Sequence, residues 1–154
     1  MSDDRAPGDL DVGQDGVGAH AGAFADASSW NGVTERLVGD GYTVVAAANP
    51  LRSLTTDAAA VADLLAGIKG PVVLAGHSYG GAVITNAARD NADVKALVYV
   101  AALAPDTGET TPELLGKYPG ATLGEHLYEV ALSDGELYTI ITSKEAKGRR
   151  HSII

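Results

Sequence analysis

The sequence predicts an α/β domain built on a parallel sheet, and three observations carry that expectation. Short apolar runs alternate with amphipathic helical stretches across residues 42–101. Only 5% of the chain is aromatic, while Ala, Val, Gly and Leu are abundant, as suits helices packed closely on a sheet. Of the 154 residues, 45% are hydrophobic, enough for one domain with a buried core. Strand, helix, strand, helix, strand at this spacing implies right-handed crossovers, a mostly parallel sheet and helices on both of its faces.

Residues 1–21 are mostly Asp, Gly and small side chains and predict a poorly structured segment. Ser28 or Ser29 is expected to cap a helix over 30–40, with Trp30, Val33, Leu37 and Val38 on one face and Gly41 as its stop. Residues 42–47 form a β-branched run that predicts a buried strand ending at the Asn49-Pro50 loop. A second helix over 57–68, capped by Thr55 or Thr56, turns Val61, Leu64, Leu65 and Ile68 inward and ends at Gly70-Pro71. Residues 72–75 make the next buried strand, 80–90 a helix with Val83, Ile84 and Ala87 on one side, and 94–101 another apolar strand. After Pro105 the pattern weakens. Thr111-Pro112 opens a short helix over 113–118, residues 127–141 suit a hairpin around Ser133-Asp134-Gly135, and 144–154 reads as a polar tail. The expected domain therefore runs over 22–143.

Charge narrows the function classes. A formal net charge of −9 repels phosphate backbones and anionic lipid surfaces, so nucleic acid and membranes are not expected partners. No run approaches the ~18 apolar residues of a membrane span, and the acidic start lacks the basic and apolar regions of a secretory signal. The chain has no cysteine, hence no thiolate nucleophile or disulfide framework, which makes a cytoplasmic location the default. His20, His77, His126 and His151 are scattered singly, without metal-ligand spacing, so no metal is expected.

The motif that carries chemistry is Gly76-His77-Ser78-Tyr79-Gly80. A serine hydroxyl attacks well only where a base can reach it and the backbone can stabilise the oxyanion that forms. A sharp strand-to-helix turn supplies that setting, with Gly two positions before and after the serine because the backbone is crowded there. The apolar strand before the motif and the amphipathic helix after it are the context that lifts this pattern above a chance Gly-x-Ser-x-Gly. Ser78 would sit at a helix N-terminus, where N–H groups favour developing negative charge, and the Tyr79 N–H is the expected first oxyanion donor.

The chain resembles the α/β-hydrolase superfamily, in particular a compact bacterial esterase-like branch that is similar to plant methylesterases and hydroxynitrile lyases. The resemblance rests on Gly22-Ala23-Phe24-Ala25-Asp26-Ala27-Ser28-Ser29-Trp30, on Gly41-Tyr42-Thr43-Val44-Val45-Ala46, on the elbow, and on Val94-Lys95-Ala96-Leu97-Val98-Tyr99-Val100-Ala101-Ala102. It covers about residues 22–130. It implies a serine hydrolase of carboxylic-ester type with Ser78 as nucleophile, no cofactor, a small-molecule ester-like substrate, and Ala23 as second oxyanion donor. In the family a His-Gly pair opens the oxyanion loop, whereas here Ala21 separates His20 from Gly22 and the preceding strand is replaced by Asp15-Gly16-Val17-Gly18-Ala19.

The family triad runs serine, acid, histidine, with the last two after later strands. The chain after Ser78 holds the strand ending at Ala101 and part of a cap, so the resemblance implies a partial α/β-hydrolase fold lacking the C-terminal strands. Asp106, after that strand, is the candidate acid or otherwise a turn residue, and His126 is the candidate base or otherwise a surface histidine; His151 is the other downstream histidine. Phe24, Trp30 and His77 are candidate pocket residues, with Trp30 equally suited to the core. The alternative function is a catalytically incomplete relative that at most binds a small molecule. The oligomeric state is left open.

Overall fold

The structure is a computed structural model that describes residues 10–11, 16–20, 27–106, 108–120, 122–131, 133, 135 and 137–141. In chain order the elements are β1 (Leu10–Asp11), β2 (Gly16–His20), a 3-10 turn (Ala27–Trp30), α1 (Asn31–Gly39), β3 (Thr43–Ala47), α2 (Leu54–Ala66), β4 (Ile68–Lys69), β5 (Val72–His77), α3 (Gly80–Ala87) and β6 (Val94–Val100). Then follow α4 (Thr111–Gly116), a second 3-10 turn (Leu123–His126), β7 (Leu127–Ala131) and β8 (Leu137–Ile141). The chain divides into two compact units, Met1–Gly108 and Glu109–Ile154.

The first unit is organised by a four-stranded parallel sheet in the order β3-β2-β5-β6. Its central strand β2 lies in the stretch expected to be poorly structured, which corrects that reading. Gly16 to His20 pair with Thr43 to Ala47 on one side and with Val72 to Gly76 on the other. Two backbone ladders outweigh a strand propensity penalty of about 1 kcal/mol for unsuitable residues. The polar tail at 144–154 lies outside the described residues.

The core lies between this sheet and the helices α2 and α3. Val61 and Leu65 of α2, Ile68, Val72 and Leu74 of the strands, and Val83, Ile84 and Ala87 of α3 form one buried cluster. The inward positions expected for both helices are therefore met, with Leu64 half-buried against the cluster. Ala75 has the opposite parity to Val72 and Leu74, so it faces the other side of the sheet, where it packs with Trp30. Trp30 is thus part of the core on that face.

Local capping differs from the expected pattern in a physically simple way. Ser53 caps α2, its hydroxyl accepting from the Thr56 N–H at 3.2 Å while the Thr56 hydroxyl accepts from the Ser53 N–H at 3.0 Å. This reciprocal pair satisfies donors that a helix starting at Asp57 would leave open, so the helix begins a turn earlier than Thr55 or Thr56 would allow. Ahead of α1, Ser28 and Ser29 lie in the 3-10 turn and Trp30 occupies the cap position without a side-chain hydrogen bond. Val33 and Val38 of α1 are exposed.

Burial of the strands depends on their place in the sheet, which composition does not disclose. Strand β3, expected to be buried, is only half-buried at Val44, Val45 and Ala47, because β2 is its single neighbour among the described residues. Strand β6 is likewise an edge of the described sheet. Leu97 packs on the core and Tyr99 shares a hydrogen bond with Thr85 of α3, whereas Val98 and Val100, of opposite parity, are each 44% exposed.

The second unit contains α4, capped reciprocally by Thr110 and Glu113, and the hairpin expected around Ser133-Asp134-Gly135, formed by antiparallel pairing of β7 with β8. The Thr110 hydroxyl and N–H both donate to Glu113 and hold its carboxyl below the usual range.

Ile84→Ala should cost roughly 2–5 kcal/mol, since Ile84 is completely buried and the site is bounded by helix and sheet. Val38→Ala, on the exposed face of α1, should change stability by less than about 0.5 kcal/mol. Urea unfolding of the two variants checks the position of the core.

Candidate active site

The backbone is left-handed at Ser78, where φ is +54°, as it is also at Leu51, Asp90 and Ala101. Left-handed backbone costs a residue with a Cβ about 1–2 kcal/mol, so it persists only where neighbouring bonds enforce it. Two such bonds converge on the Ser78 carbonyl, which accepts from the Gly81 N–H at 3.1 Å and from the Leu103 N–H at 2.9 Å. The Ser78 N–H in turn donates to the Val100 carbonyl at 3.4 Å. Strand β5 thus runs two residues beyond the expected end, through Gly76 and His77, and the chain reverses at Ser78 straight into α3.

The glycines around the turn are required by contact. A Cβ on Gly76 would lie 2.7 Å from the Gly80 carbonyl oxygen and 2.9 Å from the Gly81 nitrogen. A Cβ on Gly81 would strike the Leu103 carbonyl oxygen and lie 2.8 Å from the Ala102 Cβ. Backbone atoms cannot move aside as a flexible side chain can, so strand β5, helix α3 and the chain after β6 approach one another only because these side chains are missing. Thr85 donates to the Gly81 carbonyl at 2.8 Å, leaving the Tyr99 hydroxyl to donate to Thr85 at 2.7 Å, which ties α3 to β6 beside the turn.

Tyr79 occupies the cap position of α3. Its phenol reaches across to α2 and donates to Asp57 Oδ2 at 3.0 Å, while the Arg52 N–H donates to Asp57 Oδ1 at 3.0 Å. Asp57 has no solvent exposure at all. Burial first, then the hydrogen bond to Asp57 and its negative charge, push the Tyr79 phenol far above its ordinary value of 10.0, so it remains a protonated donor.

Comparison with known proteins agrees with this geometry. The model of the Alpha/beta hydrolase family matches residues 17–142. The chain belongs to the alpha/beta hydrolase family. Among solved structures, an extracellular alpha/beta-hydrolase from a Paenibacillus species, described as sharing structural and functional homology with tobacco salicylic acid binding protein 2, is 22% identical. That match covers 74% of this chain and 50% of the other at a TM-score of 0.58. A pyrethroid hydrolase from Sphingobium faniae is 27% identical over 79% of this chain and 53% of its own, with a TM-score of 0.61. Tomato methylketone synthase I, complexed with 2-tridecanone, is 17% identical over 88% and 58%, with a TM-score of 0.63. This alpha/beta hydrolase chain therefore spans about half the length of these structures. No curated protein matches its sequence.

Within the alpha/beta hydrolase frame, Ser78 and Tyr79 stand together at the strand-to-helix reversal. Ala23 and Phe24 lie outside the described residues. His77 ends β5 with its side chain exposed, and Trp30 is buried against Ala75, its Nε1 having no hydrogen-bond partner among the described residues. Asp106 is exposed in the coil that follows β6. His126 ends a 3-10 turn in the second unit, half-buried. Among the described residues no group of His, Asp and Glu could hold a metal ion.

Asp57 is not among the residues that the elbow motif points to. The signal was present: Asp57, Val61 and Leu65 stand at i, i+4 and i+8, so the inward stripe of α2 begins with a carboxylate. A charge on an apolar stripe calls for a buried polar partner, here Tyr79.

A phenol whose folded-state pKa is raised contributes stability that is complete below the unfolded value and disappears as pH rises through the folded one. The stability of wild type relative to Tyr79→Phe should therefore be constant below about pH 9 and decline as pH rises through about 10 and beyond. Urea unfolding across that range checks it, and a constant difference would contradict the buried phenol.

Proposed function

We propose that the chain is a serine hydrolase acting on small-molecule carboxylic esters, with Ser78 as nucleophile. The observation that carries the reading is the +54° φ of Ser78 at a strand-to-helix reversal, a strained conformation maintained by hydrogen bonds to its own carbonyl. In this reading Ser78 Oγ attacks the ester carbonyl, and the Tyr79 N–H with the Ala23 N–H stabilises the oxyanion. Asp106 and His126 are the acid and base on offer for the proton that leaves Ser78, and Phe24, Trp30 and His77 border the acyl site. The reaction so written needs no cofactor or metal. Pyrethroid hydrolase and polyneuridine aldehyde esterase among the similar structures support ester chemistry on this scaffold. The cysteine-free, acidic composition supports a cytoplasmic setting without nucleic-acid or membrane partners; among the described residues no helix is long and apolar enough to cross a membrane.

A second reading, binding of an ester-like molecule without turnover, is favoured by Asp106 lying exposed in the coil after β6, with no histidine after Ser78 among the described residues of the first unit. A fluorophosphonate probe separates the two. The hydrolase reading predicts labelling of wild type and none of Ser78→Ala; equal labelling of both would sink it, and no hydrolysis of p-nitrophenyl acetate above background would favour the second.

A further inference from the structure

Asp57 is the one buried charged side chain among the described residues, and nothing in the nucleophile chemistry itself calls for it. A carboxylate taken wholly out of water is retained only where its oxygens find donors. Oδ1 is met by the Arg52 N–H, from the segment just ahead of α2, and Oδ2 by the Tyr79 hydroxyl, from the elbow. The carboxylate also lies in the first turn of α2, where the helix dipole favours negative charge. The residue therefore joins α2, the segment ahead of it and the strained turn at a point that solvent does not reach.

We propose that Asp57 is a positioning residue for the reaction, fixing the Ser78–Tyr79 peptide through the Tyr79 hydroxyl. The inference rests on the reading of Ser78 as nucleophile and Tyr79 N–H as oxyanion donor. The peptide that bears this donor has one end at a strained φ and the other at a residue whose side chain is tied to Asp57. Turning the peptide away from the oxyanion means swinging the phenol off Oδ2, which leaves a carboxylate oxygen that is buried in the folded chain without its donor. The Ser78 carbonyl, bonded to Gly81 and Leu103, restrains the same peptide from its other atom. An oxyanion donor must hold its place within a few tenths of an ångström, and a displacement near 1 Å costs on the order of 100-fold in rate.

The test compares wild type, Tyr79→Phe, Asp57→Asn and Asp57→Ala for inactivation by a fluorophosphonate, with kinact and KI measured separately and scaled to the folded fraction. Tyr79→Phe, which removes a single oxygen, should lower kinact by about 10- to 100-fold at unchanged KI. Asp57→Asn keeps one acceptor for the Arg52 N–H and offers an amide donor to the Tyr79 oxygen, so it should stay within about threefold of wild type. Asp57→Ala should match Tyr79→Phe, and the double variant should lose no more than either alone. Amide exchange followed by NMR adds a readout independent of activity. The Gly81 N–H should exchange at least about tenfold faster in Tyr79→Phe while the Val44 to Ala46 amides are unchanged.

Equal kinact in wild type and Tyr79→Phe, with Ser78→Ala unlabelled, would overturn the positioning role alone. A kinact that falls only with the folded fraction, or exchange that rises uniformly, would do the same. Labelling of wild type and Ser78→Ala alike would overturn the nucleophile reading and this proposal together.

Discussion

A serine backbone held at a φ of +54° is the constraint on which the rest of the first unit depends. The conformation is unfavourable by itself, and three features outside the residue make it stable. The Leu103 and Gly81 N–H groups both bond to the Ser78 carbonyl, Gly76 and Gly81 clear space for backbone to meet backbone, and Asp57 anchors the next side chain. Together they draw on the chain after β6, helix α3, strand β5 and helix α2, so the turn forms only when these have assembled. A strained local geometry enforced by tertiary contacts is the arrangement expected where a nucleophile must be presented at the end of a sheet.

The packing explains why α2 and α3 carry this role. Both contribute to one buried cluster with Val72 and Leu74, so the distance between them is set by close-packed aliphatic side chains. The hydrogen bond from Tyr79 to Asp57 crosses that interface at 3.0 Å. The core thereby transmits its rigidity to the elbow. By contrast, the edges of the described sheet are looser in composition and burial, with Val98 and Val100 exposed on β6 and the valines of α1 exposed nearby in sequence to β3.

The elbow was legible in the sequence because its requirements are local: glycine two positions before a serine, an apolar strand before it and a helix after it. The inward stripes of α2 and α3 were legible for the same reason, since helical periodicity is a property of neighbouring residues. The central strand β2 was not, because Gly16 to His20 form a strand through ladders contributed by β3 and β5, residues far along the chain. Exposure of β3 and β6 was hidden likewise, as an apolar run does not tell an edge strand from a central one. Asp57 and Tyr79 are separated by 22 positions, and their contact follows only from the packing of α2 on α3.

The measurement that bears most directly on the strained elbow is the unfolding free energy of Ser78→Gly against Ser78→Ala. At an ordinary position glycine is the less stable of the two by roughly 0.5–1 kcal/mol, because it loses more chain entropy on folding. At a left-handed position the order inverts, since alanine retains the Cβ clash and glycine does not. The account predicts that Ser78→Gly is more stable than Ser78→Ala by about 1 kcal/mol. A glycine variant less stable than the alanine variant would contradict it.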